Sequence, residues 1–460
     1  MNFESIYTSK RVGTEKNPQG PRSGFQRDFD RLIFSSAFRR LQNKTQVFPL
    51  PGVAFVHNRL THSLEVASVG RSLGQIAGRA IATEYKSNED VYEFYKYELS
   101  NVIAAACIAH DVGNPAFGHS GEKAISSYFI ENADEIIDGR PLSQFFLPGE
   151  WEDLINFEGN ANALRVLTHQ FRGRFRGGLG LTYTTIGAML KYPCESTAVD
   201  RKKIQKHRSK YGFFQAEKEI AQKVAQELNM IPESTAPLVF KRHPFVYLVE
   251  AADDICYKII DMEDAHRLKI ISTERVSEAF LEVIRSVNRS EEDLDKIRGH
   301  FKSIEDTNES IAYLRAKVIN VLTLQAADIF IDQRSAILHG NFNDALVDFI
   351  EANSGALKAV KKISREEIYN HSIVMQIEIA GYNVMSELLQ LFIPALVREK
   401  PSHKDEKILN LFPYQFTEYK EATSKYLRVM SALDFLSGMT DVYATEIYRR
   451  IKGIVIPEHG

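Results

Sequence analysis

Residues 99–110, LSNVIAAACIAH, are apolar almost all round, which is the pattern of a buried helix. The run stops at residues 111–115, where Gly113 and Pro115 are helix-ending signals. Most of the remaining chain also reads as helix. Residues 25–47 place Phe25, Phe29, Leu32, Ile33, Phe34, Phe38 and Leu41 on one broad stripe of helical period. Thr61 stands where it can cap a helix through residues 63–76. Residues 245–262 form another periodic helix, and amphipathic segments follow one another from about 275 to 450. Alternating patterns are scarce, with residues 178–187 as the short exception. The expected class is all-α.

A chain of 460 residues has room for two or three domains, or for one large unit with an extension. No internal repeat or linker marks a boundary. The expectation is a helical core over residues 1–270 and a C-terminal helical extension over 271–460, packed on the core or forming one continuous domain with it. The 57 Lys and Arg against 60 Asp and Glu give a net charge of −3, which argues against a protein whose main task is coating nucleic acid. A local basic patch remains open. Residues 172–180 and 200–212 read as exposed loops, and the second carries Arg201, Lys202, Lys203, Lys206, His207, Arg208 and Lys210. Such a run is a solvated loop or a surface for polyphosphate or nucleic acid. The three cysteines, Cys107, Cys194 and Cys256, form no CxxC pair, so neither a thiolate zinc site nor a disulfide framework is expected. Residues 1–16 hold no signal-peptide core and no stretch approaches 18 uninterrupted apolar residues, so no membrane span and a cytoplasmic location are expected.

His110-Asp111 lies where the apolar helix ends. A carboxylate there needs a partner or a metal, because burying it unpaired is costly. His62 comes earlier, at the start of its own helix. Within residues 249–261, Asp253, Tyr257 and Asp261 are spaced i, i+4, i+8. On a helix they fall within about 80° of arc and about 12 Å of length, a face suited to a polar cleft. Asp254 points elsewhere, toward solvent or a salt bridge. Taken singly, each group also has an ordinary structural reading: a capping Asp, a backbone-bonded His, an exposed acidic helix face. Together, two imidazoles and two carboxylates suit Mn²⁺, Fe²⁺, Zn²⁺ or Mg²⁺.

The order His62, His110-Asp111, Asp253 resembles the HD-domain superfamily of metal-dependent phosphohydrolases. Residues 38–47, 57–63, 110–122, 156–161 and 250–255 are similar to the run of motifs in bacterial deoxyguanosine triphosphate triphosphohydrolases. The resemblance is strong over about residues 20–270; beyond it, the match lies in helical character and in residues 368–371, Ile-Tyr-Asn-His.

The resemblance implies an HD-domain helical core and hydrolysis of dGTP or other dNTPs to deoxynucleoside and inorganic triphosphate. In the reaction so implied, water would attack the α-phosphorus. His62, His110, Asp111 and Asp253 would hold the metal, Mn²⁺ or Mg²⁺ first, with Fe²⁺, Zn²⁺, Ni²⁺ or Co²⁺ as alternatives. His119 and Glu122 would form the catalytic pair. Arg59 would reach the α-phosphate and Lys191 the triphosphate. Gln46 would touch the sugar or base edge, and Asn160 would line the pocket. Tyr257 would sit against the deoxyribose, and Asp261 would accept its 3′-hydroxyl. Position 114 is Asn, as in the bacterial enzymes, where the vertebrate HD-domain dNTPases have a second His. The resemblance also implies a homo-oligomer, hexamer favoured, with activation of some members by a second dNTP; single-stranded DNA is a further candidate partner through the basic run of residues 200–212. Two alternatives stand beside this reading: another HD-domain phosphohydrolase, such as a nucleotidase or alarmone hydrolase, and a nucleotide-sensing or single-strand-binding protein.

Overall fold

The computed structural model describes residues 1–14, 20–48, 56–287 and 290–455. The helices that build the cores and the site are Gly24–Ile33 (α1), Ser36–Arg40 (α2), Arg59–Glu84 (α3), Leu99–Ala109 (α4), His119–Glu131 (α5), Gly159–Thr168 (α6), Tyr183–Met189 (α7), Val246–Arg267 (α8), Thr307–Asp332 (α9), Ser372–Val397 (α10) and Lys425–Ser437 (α11). Among the described residues the only sheets are two short hairpins, Ile136–Ile137 with Arg140–Pro141 and Pro232–Thr235 with Leu238–Phe240. The all-α expectation stands, with a helical extension at the C-terminal end.

Helix α4 is buried from Val102 to Ala109, and α3, α1, α7 and α8 pack around it. An apolar surface on every side leaves a helix no face to give to water, so it takes the centre. Helix α8 runs on five residues past the expected end and packs on α3 and α9. A second apolar core joins α5 to α10 and α11. The first core therefore extends past residue 270 to α9, and the second reaches back to α5. The segment between α4 and α5 passes from one core to the other, with Val112 in the first and Ala116 in the second.

Three local expectations are corrected. The stripe over residues 25–47 is not one helix: Ser35 accepts the Phe38 N–H and starts α2 afresh, and a 3₁₀ turn follows at Leu41–Asn43. Helix α3 is capped by Asn58, whose side chain accepts the Thr61 N–H, while the Thr61 hydroxyl accepts the Asn58 N–H. Thr61 is thus the third residue of the helix, in a reciprocal capping box. Residues 178–187 form no strand. Thr182 caps α7 by accepting the Thr185 N–H, so the β-branched run turns helical at Tyr183.

The C-terminal extension holds the α4–α5 turn in place. Asp441 accepts the Phe117 N–H at 2.8 Å and the Thr45 N–H at 2.7 Å. The buried Lys44 ammonium donates to the Asn114 and Ser437 carbonyls. Arg165 of α6 binds Asp434 of α11 through two N–H groups, at 2.7 and 2.8 Å, and Glu217 at 2.5 Å. All three side chains are buried, and removing the cation strands two carboxylates. Arg165→Ala is expected to lower stability by about 3–5 kcal/mol. Urea unfolding followed by circular dichroism measures it, and a loss under about 1 kcal/mol, the scale of an exposed pair, would refute the coupling.

By length and composition, Ser372–Val397 could cross a membrane, the one such helix among the described residues. Its C-terminal half is core, whereas Ile373, Met375 and Ile379 on its first turns are exposed.

Candidate active site

The turn after α4 sets the site. His110 closes α4, and its Nδ1 lies 2.6 Å from the Cys107 carbonyl, so Nδ1 carries the proton and Nε2 is left as a lone-pair donor. Asp111 Oδ2 accepts from Arg59 Nη1 at 2.9 Å, and Oδ1 accepts from Asn114 Nδ2. Burial alone would raise the Asp111 carboxyl; Arg59, His110 and His62 override it and hold the group below its ordinary range. His62, on the first turn of α3, is 2% exposed. Its Nε2 is 3.2 Å from Asp253 Oδ1, and the same oxygen is 3.5 Å from His110 Nε2.

His62, His110 and Asp111 each offer one ligand atom, and these atoms lie within 4.8 Å of one another. Asp253 closes the group from α8. A convergent set of neutral imidazole nitrogens and carboxylate oxygens fits a divalent cation of borderline or hard character. The surrounding charge agrees. Burial would lower the His110 imidazole, yet Asp111 and Asp253 push it up to about 9, so the place favours positive charge and a metal would bind in exchange for the Nε2 proton. Asp253 is held well below its ordinary range by His110 and His62 against its own burial.

His119 is the first residue of α5, with its side chain 68% exposed. Its Nδ1 is 2.9 Å from Glu122 Oε2, and Glu122 Oε1 accepts the Gly159 N–H at 2.8 Å. The carboxylate is thus anchored at both oxygens and orients the ring. Gly118 has φ +55°, and a Cβ there would lie 2.3 Å from Arg59 Nη2. Only glycine allows the guanidinium and the start of α5 to meet this closely.

These groups open onto one cavity of about 320 Å³. Gln46, Arg59, His62, His110, Asp111, His119, Glu122, Asn160, Lys191, Asp253 and Tyr257 all line it. Lys191 Nζ is 3.2 Å from Glu250 Oε1, whose other oxygen accepts from Arg242. Gln46 Oε1 and Arg59 Nε are buried without a protein partner. Asp261 is not in the wall. It is buried one turn beyond Tyr257, and it accepts the Tyr369 hydroxyl at 2.8 Å. Tyr369 also stacks on Tyr257, with ring centroids 5.9 Å apart. The C-terminal extension thereby covers the end of the Asp253–Tyr257–Asp261 face.

Asp254 lines the cavity rather than facing solvent or a salt bridge, a correction. Burial pushes its carboxyl up to about 7, against the pull of Lys191. Lys258, one turn further along α8, stands 3.6 Å from Glu351. Two wall residues had only a weak signal in the sequence. Lys210 belongs to the basic run, but it turns inward and pairs with Glu158 at 2.9 Å. Glu158 sits two residues before Asn160, which donates to the same carboxylate at 2.7 Å. The rest of the run is largely engaged: Lys206 pairs with Asp344 and Asp348, Arg208 and His207 with Glu233, and Arg201 stands 3.6 Å from Glu152.

Residues 59–163 match the HD domain family, and residues 347–450 match the phosphohydrolase-associated domain family. Over 99% of its length the chain is 35% identical to a deoxyguanosinetriphosphate triphosphohydrolase-like protein of Synechocystis sp., covering 100% of that protein. The chain belongs to the bacterial HD-domain deoxyguanosinetriphosphate triphosphohydrolase family. A like-named Pseudomonas aeruginosa protein is 36% identical over 98% of this chain and 99% of its own. A Yersinia enterocolitica deoxyguanosinetriphosphate triphosphohydrolase is 32% identical over 93% of each chain. The first match begins at Arg59 and runs through the whole His62–Glu158 segment, and the second spans Tyr369, Asp434 and Asp441. Membership makes the chain a phosphohydrolase of the metal-dependent HD type.

Proposed function

We propose that this protein hydrolyses deoxynucleoside triphosphates, dGTP among them, to deoxynucleoside and inorganic triphosphate by attack of water at the α-phosphorus. The observation that carries the reading is one shared cavity: the His/Asp ligand set, the His119–Glu122 pair, the cations Arg59, Lys191 and Lys210, and Tyr257 all face it. A divalent metal held by His62, His110, Asp111 and Asp253, Mn²⁺ or Mg²⁺ first and Fe²⁺, Zn²⁺, Ni²⁺ or Co²⁺ as alternatives, would acidify water and polarise a phosphoryl oxygen.

The chain's own residues do the rest. Arg59 offers a guanidinium to the α-phosphate, where a planar fork matches two oxygens. Lys191 and Lys210 meet the rest of the triphosphate as point charges. His119 delivers a proton to the leaving 5′ oxygen, and Glu122 keeps the ring aimed and its Nδ1 proton in place. Tyr257 packs on the deoxyribose. Because Asp261 is engaged by Tyr369, the 3′-hydroxyl is assigned to Tyr257, Tyr369 and Asp261 acting as a unit. Gln46 presents its free carbonyl to the sugar or base edge.

Incubation with Mn²⁺ or Mg²⁺ and each dNTP, followed by anion exchange, tests the reading. Deoxynucleoside with intact triphosphate is the expected result. Release of phosphate or pyrophosphate would overturn it in favour of another HD-domain phosphohydrolase. The reading carries a homo-oligomer with it, hexamer favoured, and the exposed Ile373, Met375 and Ile379 just after Tyr369 support an apolar contact there.

A further inference from the structure

Glu122 and Glu158 are buried carboxylates on either side of one peptide group. Glu122 accepts the Gly159 N–H, and Glu158 is the residue before it. Each side chain is 9% exposed. One ammonium serves them. Lys210 Nζ is 2.9 Å from Glu158 Oε1, and Asn160 Nδ2 donates to the same oxygen. Glu122 and, through it, His119 face Glu158 from α5; Asn160 faces it from α6; Lys210 and Tyr211 face it from the basic segment. Burial first, and the Glu122 charge second, push the Glu158 carboxyl up, while Lys210 and Asn160 pull it back. Glu122 itself is held below its ordinary range, with His119, Lys210 and the Gly159 N–H outweighing its burial. Two neighbouring carboxyls driven in opposite directions are a pair with divided roles.

Lys210 has two competing anions. Before substrate arrives it has Glu158. A triphosphate in the cavity offers it several oxygens and a larger charge. Glu158 would then stand as a bare carboxylate beside both Glu122 and the polyanion, in a buried place where like charges cannot all persist. We propose that Glu158 is an exchangeable counter-ion: it holds Lys210 over the cavity, yields it to the substrate's triphosphate, and takes one proton from solvent as it does so. The step breaks an ion pair and forms one O–H bond, converting carboxylate to carboxylic acid. Its consequence is that Glu122 remains the one charged carboxylate beside His119. Glu158 acts through Lys210 and is a positioning residue. The inference rests on the proposed function only in taking a triphosphate as the ligand.

Calorimetric titration of the metal-loaded protein with inorganic triphosphate near pH 7, in two buffers of different ionisation enthalpy, counts the protons. Unaltered protein should take up about one proton more per triphosphate bound than Glu158→Gln, whose amide keeps an acceptor for Lys210 but does not titrate. Lys210→Met should also lack the extra proton, because Glu158 then has no cation to lose. It carries the test if Glu158→Gln does not fold. Equal proton counts in all three proteins would overturn the proposal, as would failure of the unaltered protein to bind triphosphate. A protein that shows the extra proton but cleaves dNTPs to other products would overturn the proposed reaction and support the exchange.

Discussion

Asp111→Ala is expected to purify without stoichiometric divalent metal and to lose turnover by on the order of a thousandfold or more. The side chain does two things at once. It supplies a ligand atom within 4.8 Å of those of His62 and His110, and it neutralises the buried Arg59 guanidinium at 2.9 Å. Electrophilic activation of phosphate and water is worth several kcal/mol, and each ~1.4 kcal/mol is a factor of ten in rate. Metal content by atomic emission, beside the rate of deoxynucleoside release, measures both effects. Asp111→Asn separates them. The amide oxygen can still accept from Arg59 but brings no charge, so it should recover part of the lost thermal stability and none of the metal. An Asp111→Ala protein with full metal content and more than about a tenth of the normal rate would remove Asp111 from the ligand set.

His119→Ala should behave differently. Its side chain is 68% exposed and packs little, so stability and metal content should stay near normal. The rate should fall by about 10²–10⁴, the range for a positioned general acid. Glu122→Gln should cost less. The amide oxygen can still accept one N–H, but the charge that supports a protonated ring is gone. The comparison of kcat with KM is informative, because a proton-transfer role lowers kcat with KM little changed. A His119→Ala protein within about threefold of the normal kcat would exclude the assignment.

These groups were open to sequence reading to different degrees. Within one helix, 3.6 residues per turn decide which side chains share a face. Asp253 and Tyr257 could therefore be placed together before any fold was known, and both reach the cavity. The same period sent Asp254 to the outside, wrongly. A helix packed on several sides has more than one inner face, and the segment carrying Lys191 lies over this one. Asp261 shows the opposite limit. Its angular position fits the polar face, but Tyr369, more than a hundred residues away, takes its carboxylate. Lys210 looked like part of a solvated basic run until packing turned it toward Glu158.

What the amino-acid order settled is local. It gave an apolar helix that must be buried, a Gly- and Pro-marked stop placing His110-Asp111 at that helix's end, a His119–Glu122 pair three residues apart, and a chain made of helices. Only the folded chain decided which distant groups meet. It brought Arg59 to Asp111, Asp253 to both imidazoles, Lys210 to Glu158 and Tyr369 to Asp261, and it clamped the α4–α5 turn with Asp441 and with Lys44, itself held by the Ser437 carbonyl. The division has a physical cause. Backbone geometry fixes neighbours a few residues apart at little entropic cost, whereas contacts across hundreds of residues form only when apolar burial in both cores repays the ordering of the chain between them.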